Sequence, residues 1–123
     1  MRIRPERVAQ AMRRDIADII ARTLRDPRIG TFVTVTDVEV TSDLSFARVF
    51  VSVLATGEER ARTLEALAHA VPFVRRELGP RLGLREVPAL RFEIDTSSER
   101  GARVDELLRK LRDGEPIPDD DPE

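Results

Sequence analysis

The chain has 123 residues, 36% of them charged, and no cysteine, tyrosine or tryptophan. That allows one domain with a modest core and excludes disulfides, thiolate catalysis and zinc held by cysteine. No apolar run is long enough to cross a bilayer, and Met1 to Arg7 lack the apolar stretch of a secretory signal, so a cytoplasmic protein without membrane association is expected.

In chain order, Val8, Met12, Ile16, Ile19, Ile20 and Leu24 recur every three or four residues and predict an amphipathic first helix. Pro27 and Gly30 stop it, because proline lacks an N–H and disfavours a helical Asp26. An extended run follows from Phe32, in which Val33 and Val35 share one parity and Val38 and Val40 the other, which predicts a bulge near Asp37. Polar Thr41 to Ser45 make a turn. Ala47, Val49, Val51 and Val53 then alternate with Phe46, Arg48, Phe50 and Ser52 in a second strand, so the pair reads as a hairpin. Ala61, Leu64, Leu67, Ala68 and Val71 mark a second helix, and Phe73, Val74 and Leu78 continue an apolar face beyond Pro72. An interior proline costs roughly 3 kcal/mol and one at a first helical position costs little, so two helices meeting at Ala70, Val71 and Pro72 are expected. Leu90, Phe92 and Ile94 alternate with Arg91, Glu93 and Asp95 in a third strand. Thr96, Ser97 and Ser98 can cap a last helix bearing Val104, Leu107, Leu108 and Leu111.

The net charge of −2 hides a division along the chain. Residues 1–112 carry all 21 basic side chains against 17 acidic ones, a net of +4, whereas residues 113–123 carry six acids and no base. This proline-rich acidic tail cannot bury enough apolar surface to offset its ordering entropy and is expected to be disordered. The domain is therefore assigned to residues 1–112.

The segments Asp26-Pro27-Arg28-Ile29, Val33-Thr34-Val35-Thr36, Ser42-Asp43-Leu44 and Ala47-Arg48-Val49 are followed by Phe73-Val74-Arg75, Leu84-Arg85 with Pro88, and Leu90-Arg91-Phe92 with Asp95. In this order and spacing, over about residues 2–111, the chain resembles the bacterial ribosome-binding factor A family. The resemblance implies an α+β fold of type II K-homology (KH-like) character in the order αββααβα, with a three-stranded sheet and its helices on one face. It also implies a helix-kink-helix element in place of the GxxG loop of ordinary K-homology domains. Ala70 matches the small-residue kink, but Pro72 stands where the family carries glycine, which adds a ring and removes an N–H donor. For function, the resemblance implies a monomeric factor that assists late maturation of the 30S subunit, binds free 30S subunits rather than 70S ribosomes, and is needed for 16S rRNA processing. Contact with the 5′-terminal helix region of 16S rRNA, assembly GTPases as functional partners and a role in cold adaptation are further implications.

Two arginine groups are the candidate RNA contacts: Arg2, Arg4, Arg7 and Arg14 at the front, and Arg75, Arg76, Arg81 and Arg85 after Pro72. Guanidinium groups bind phosphates through charge-assisted, often bidentate hydrogen bonds, and the two groups are expected to share one surface. Any single arginine also reads as a surface charge, and a protein-interaction module or assembly scaffold is the alternative function. With five phenylalanines as its only aromatics, the chain offers poor support for a base-stacking platform; Phe32, Phe73 and Phe92 read as core, while Phe46 and Phe50 face away from the valine face. His69 stands alone and makes neither a zinc site nor a catalytic dyad. Asp37, Asp43 and Asp95 fit turn and strand-end roles. Without a paired acid and base or a phosphate-binding glycine loop, neither catalysis nor a cofactor or metal is expected.

Overall fold

The computed structural model describes residues 4–24, 26, 27, 29, 33–55 and 57–97. Helix α1 spans Pro5–Asp18, with Pro5 in its first turn, where the missing N–H would have had no helical partner. Its apolar stripe is buried at Val8, Met12 and Ile16. A five-residue π-turn, Ile19–Thr23, follows, and the Leu24 N–H donates to the Ile19 carbonyl at 2.8 Å. This widened turn carries the consecutive Ile19 and Ile20, both of which are buried. Leu24 is already extended, and the Ile29 N–H donates to Asp26 in a turn that buries Ile29 beside exposed Pro27.

Strands β1 (Val33–Val40) and β2 (Phe46–Val53) form the expected antiparallel hairpin. The register shifts between Val35 and Asp37, so the bulge lies where the change in valine parity required one. It brings Val35 and Val38 to the same buried face, opposite Val51 and Val49.

Asp43 holds the hairpin turn, its carboxylate accepting from the Thr41 hydroxyl at 2.7 Å and from the Ser45 hydroxyl and N–H at 2.7 and 3.0 Å. The hydrogen bonds from the Ser45 side chain, then Thr41, lower its pKa from the ordinary 3.8 to about 2. A depressed carboxyl pKa stabilises the fold fully above the unfolded value, and that contribution is lost as pH falls from about 4 towards 2. Loosening of the Thr41 to Phe46 amide signals over that interval is expected in a pH titration followed by NMR, and Asp43→Asn should remove the titration. A turn that stays intact below pH 2, or an unchanged profile in D43N, would exclude the carboxylate as its clasp.

Helix α2 spans Gly57–Leu82 and corrects one expectation. The two helices expected to meet at Ala70, Val71 and Pro72 are one helix, with both Pro72 and Pro80 inside it. Pro72 is exposed, whereas Leu67, Ala70, Val74 and Leu78 on either side of it are buried. The interior proline costs about 3 kcal/mol, and burying Val74 and Leu78 returns about 1.5–3 kcal/mol for each, which is enough to hold the helix through it. After Gly83, in left-handed backbone at φ +63°, the chain enters β3 (Ala89–Ile94), which pairs with β2 in parallel.

The sheet order is β1-β2-β3, and its buried face presents Val35, Val38, Ala47, Val49, Val51, Val53, Leu90 and Phe92. The buried sides of α1 and α2 join this face in one core. Phe92 is buried and Phe73 packs partly against the core, as expected, while Phe32 lies outside the described residues. So do Arg2, the expected last helix and the acidic tail.

Candidate nucleic-acid interface

The front arginines are placed by α1. Arg4 caps its start in an extended conformation, and Arg7, Arg13 and Arg14 are exposed on the side away from the buried stripe of Val8, Met12 and Ile16. Near the other end of the helix, the Arg14 guanidinium lies 3.9 Å from the Asp15 carboxylate, and the Arg81 guanidinium approaches the same oxygen at 4.0 Å. Arg81 donates to Asp18 at 2.9 Å, and Arg22 pairs with the other oxygen of that carboxylate at 3.0 Å. The hydrogen bond from Arg81 to Asp18 raises the arginine's pKa further. The fold thus joins Arg14 to Arg81 across α1 and α2, around two acids that partly neutralise them. Arg7 lies two turns, about 10 Å, earlier on α1.

The arginines that follow Pro72 differ in role. Arg75 donates from Nε to the Pro88 carbonyl at 3.1 Å and from Nη2 to Val87 at 2.7 Å, fastening α2 to the segment that enters β3. Arg75→Ala is expected to lower stability by about 1 kcal/mol in chemical denaturation, the usual net worth of such hydrogen bonds. No change would mean that the clamp is dispensable. Arg76 lies over the Phe73 ring at 5.9 Å, and Arg85 is exposed. Among the described residues, Arg4, Arg7, Arg76 and Arg85 have no carboxylate partner, which leaves their guanidinium groups to water or to an anion.

Around the proline, Ala70 is buried, Val71 is half-buried, and His69 and Pro72 are exposed. Ala70 therefore serves the core, while the proline ring and the imidazole are exposed and Val71 reaches the surface in part. A groove of about 510 Å³ runs beside Pro72, which lines it together with Arg75, Arg76, Glu86 and Val87.

The outer face of the sheet carries an arrangement that the sequence reading missed. Arg48 donates to both oxygens of Glu93, at 2.7 and 3.0 Å, reaches Glu39 at 3.4 Å, and covers the Phe50 ring at 4.9 Å. Its hydrogen bond to Glu93 raises the Arg48 pKa and lowers that of Glu93. Phe46 and Phe50 are half-buried there. Alternation places Arg48 and Glu93 opposite the apolar positions of their strands, but their contact with each other and with Glu39 depends on the register of three strands. Charges balanced in this way form a poorer phosphate surface than the arginines on the helices.

The three aspartates each accept hydrogen bonds of their own. Asp37 accepts the Val38 N–H at 2.9 Å, and Asp95 accepts the Thr36 hydroxyl from across β2 and the Ser97 N–H. Among the described residues, no group of three or more histidine, aspartate or glutamate side chains is arranged to hold a metal ion, and no helix is long and apolar enough to cross a membrane.

Residues 4–108 match the model of the family described as ribosome-binding factor A. A Desulforamulus reducens protein described as ribosome-binding factor A is 46% identical over 115 residues, which cover 94% of this chain and 95% of the relative. The chain belongs to the ribosome-binding factor A family. Its fold is similar to the crystal structure of ribosome-binding factor A from Thermus thermophilus, with a TM-score of 0.65 and 28% identity over 73% of this chain and 93% of the other. It is similar also to a Thermus thermophilus ribosome-binding factor A homology model fitted into a cryo-EM map of a 30S–RbfA complex, with a TM-score of 0.60 and 29% identity over 72% of this chain and 92% of that one. The α+β architecture of the described residues, two α-helices and one three-stranded sheet, matches these ribosome-binding factor A structures.

Proposed function

We propose that this protein binds the small ribosomal subunit and assists its late maturation, acting by docking on ribosomal RNA without chemistry. The observation that carries this reading is the family match over residues 4–108, together with the relative fitted into a 30S complex. In this reading the domain is of type II KH-like character, works as a cytoplasmic monomer, and associates with free 30S subunits in preference to 70S ribosomes. It supports efficient 16S rRNA processing, reaches the 5′-terminal helix region of that RNA, acts alongside assembly GTPases and matters most for growth in the cold. The exposed arginines on and beside the two helices, Arg4, Arg7, Arg14, Arg76 and Arg85 among them, supply the phosphate contacts, with Arg2 extending the front group. Pro72 offers only its ring at the position where the family has glycine.

The physical mechanism is selection between RNA arrangements. A rigid domain that grips phosphates at fixed spacings favours whichever fold of the RNA presents them so, and shifts the equilibrium by its difference in affinity for the two states. Sedimentation of the purified protein with free 30S subunits, 50S subunits and 70S ribosomes tests the reading. Co-sedimentation with free 30S subunits alone is expected, and absence of binding to them would overturn it. Electrostatic docking also weakens with salt at a log-log slope of about −0.7 to −0.9 per phosphate engaged. A salt-independent association would favour the alternative, a protein-interaction module or scaffold, for which the internal engagement of Arg75 and Arg81 speaks.

A further inference from the structure

Strand β1 ends the sheet on one side, and among the described residues no strand pairs with its outer edge. Two hydrogen bonds fix the direction of its backbone groups. Phe46 accepts from Thr41 across the hairpin at 2.9 Å, whereas Val51 accepts from Asp95 on the β3 side at 2.8 Å. The two directions alternate along a strand, so Ala47, Val49 and Val51 face β3, and their partners Val40, Val38 and Val35 turn their N–H and C=O groups to the open edge. Unpaired groups of this kind are a template for another strand.

Room for such a strand lies beside the edge. Helix α1 runs along β1 in the opposite direction, its first half beside Asp37 to Val40 and its end, with the π-turn, beside Val33 to Val35. Between them runs a trough in two stretches, of about 420 and 730 Å³. The charged residues lining the first are Glu6, Asp37 and Glu39 against Arg13; among the described residues, Asp26 is the charged one lining the second. A rim with this balance repels phosphates and attracts cationic side chains. The edge is also guarded. Asp37 sits at the bulge, and its carboxylate accepts the Val38 N–H at 2.9 Å, which withdraws one donor from flat pairing. Glu39, which also reaches Arg48 at 3.4 Å, adds a second negative charge on the strand. A second copy paired antiparallel about Val38 or Glu39 would set Glu39 against the other copy's equivalent of Asp37 or of Glu39 itself, a destabilising like-charge pair.

We propose that β1 takes an extended, lysine- or arginine-bearing segment of another protein as a fourth strand, laid in the trough beside α1. Its backbone pairs with Val35, Val38 and Val40, its apolar side chains lie towards Ala9 and Val40, and its cations meet the acids of the rim. As the Val38 N–H enters the new ladder, the Asp37 carboxylate exchanges it for a cation, so the residue that blunts the edge against flat pairing also selects the segment that opens it. This contact stands apart from the arginines that face phosphate, and either surface can fail without the other.

The probe is a capped peptide alternating lysine with valine over the eight-residue length of β1. Added to the isotope-labelled full-length chain, it is expected to move the amide signals of Val35, Val38 and Val40 and to slow hydrogen exchange at Val35 and Val40. It should bind about tenfold or more tighter than the same peptide with glutamate for lysine at about 50 mM salt, a gap that narrows as salt rises. Of its two versions N-methylated on alternate residues, one should fail to bind, because that set of amides faces β1. Equal binding by both would reduce the contact to charge alone and overturn strand addition. Equal binding of the glutamate peptide, or signals that move only on the outer face around Phe46 and Arg91, would overturn the edge as the site. Reversing exposed Glu6 and Glu39 to lysine should turn the preference to the glutamate peptide, and an unchanged preference would overturn the selection by charge. Exchange already slow at Val35 and Val40 in the free chain would mean that the edge is taken, by a second copy if the slowing grows with concentration, and would overturn the proposal.

Discussion

The double charge reversal Arg76→Glu with Arg85→Glu is expected to weaken association with free 30S subunits by about 10- to 100-fold at moderate ionic strength. These two arginines have no carboxylate partner among the described residues, so their guanidinium groups are free to bind phosphate and their loss costs the fold little. A charge-assisted contact is worth about 1.5–3 kcal/mol before salt screening, and reversal adds repulsion from the phosphate it formerly held. The salt dependence of binding should flatten by about 1.4–1.8 in log-log slope, the signature of two phosphates no longer engaged. Thermal unfolding of the variant should match the parent, which separates a lost contact from a lost fold. Unchanged association with an unchanged slope would remove this end of α2 from the interface. Arg75 would not serve for such a test, because its guanidinium holds the Val87 and Pro88 carbonyls and its loss would perturb the neighbouring groove.

Pro72→Ala is expected to stabilise the protein by about 1–3 kcal/mol. Pro72 sits inside a 26-residue helix, so it breaks one backbone hydrogen bond and crowds the preceding turn. Its exposure means that alanine removes no core contact, and the greater freedom of alanine in the unfolded chain returns only a few tenths to 1 kcal/mol of that gain. For a domain of this size the thermal midpoint should rise by roughly 4–8 °C per kcal/mol. A lower midpoint would show that the proline conformation, and not the helix, is the favoured state at this position. The variant also bears on function. If the helix arginines carry binding, P72A should keep its affinity for 30S subunits. A more stable protein that no longer binds would make the proline ring, or the bend it imposes on the helix, part of the recognition surface.

Much of the fold was written in short-range patterns. The stripe of Val8, Met12 and Ile16, the alternation from Ala47 to Val53 and the changed parity between Val35 and Val38 each report a local periodicity that burial on one side enforces. The bulge near Asp37 was legible because a one-residue insertion is the smallest change that returns both valine pairs to one face. Helix α2 was harder. Locally, Pro72 argues for a boundary, and only the continued burial of Val74 and Leu78 beyond it makes one helix the lower-energy outcome. That burial depends on a sheet whose strands lie far off in sequence.

The candidate surface divides the same way. Sequence alone determined the family, the order of the elements from α1 to β3 apart from the break expected at Pro72, the basic character of residues 1–112 and the acidic character of residues 113–123, because these depend on residue identity and local spacing. Tertiary structure decided which arginines remain available. Arg75 turns to two carbonyls, Arg81 meets Asp18 from 63 positions away, and Arg48 is held by Glu93 across two strands, whereas Arg76 and Arg85 face outward. A guanidinium group is drawn to whichever acceptor the fold brings within about 3 Å, and in a chain with nearly as many acids as bases the identity of that acceptor is a long-range property.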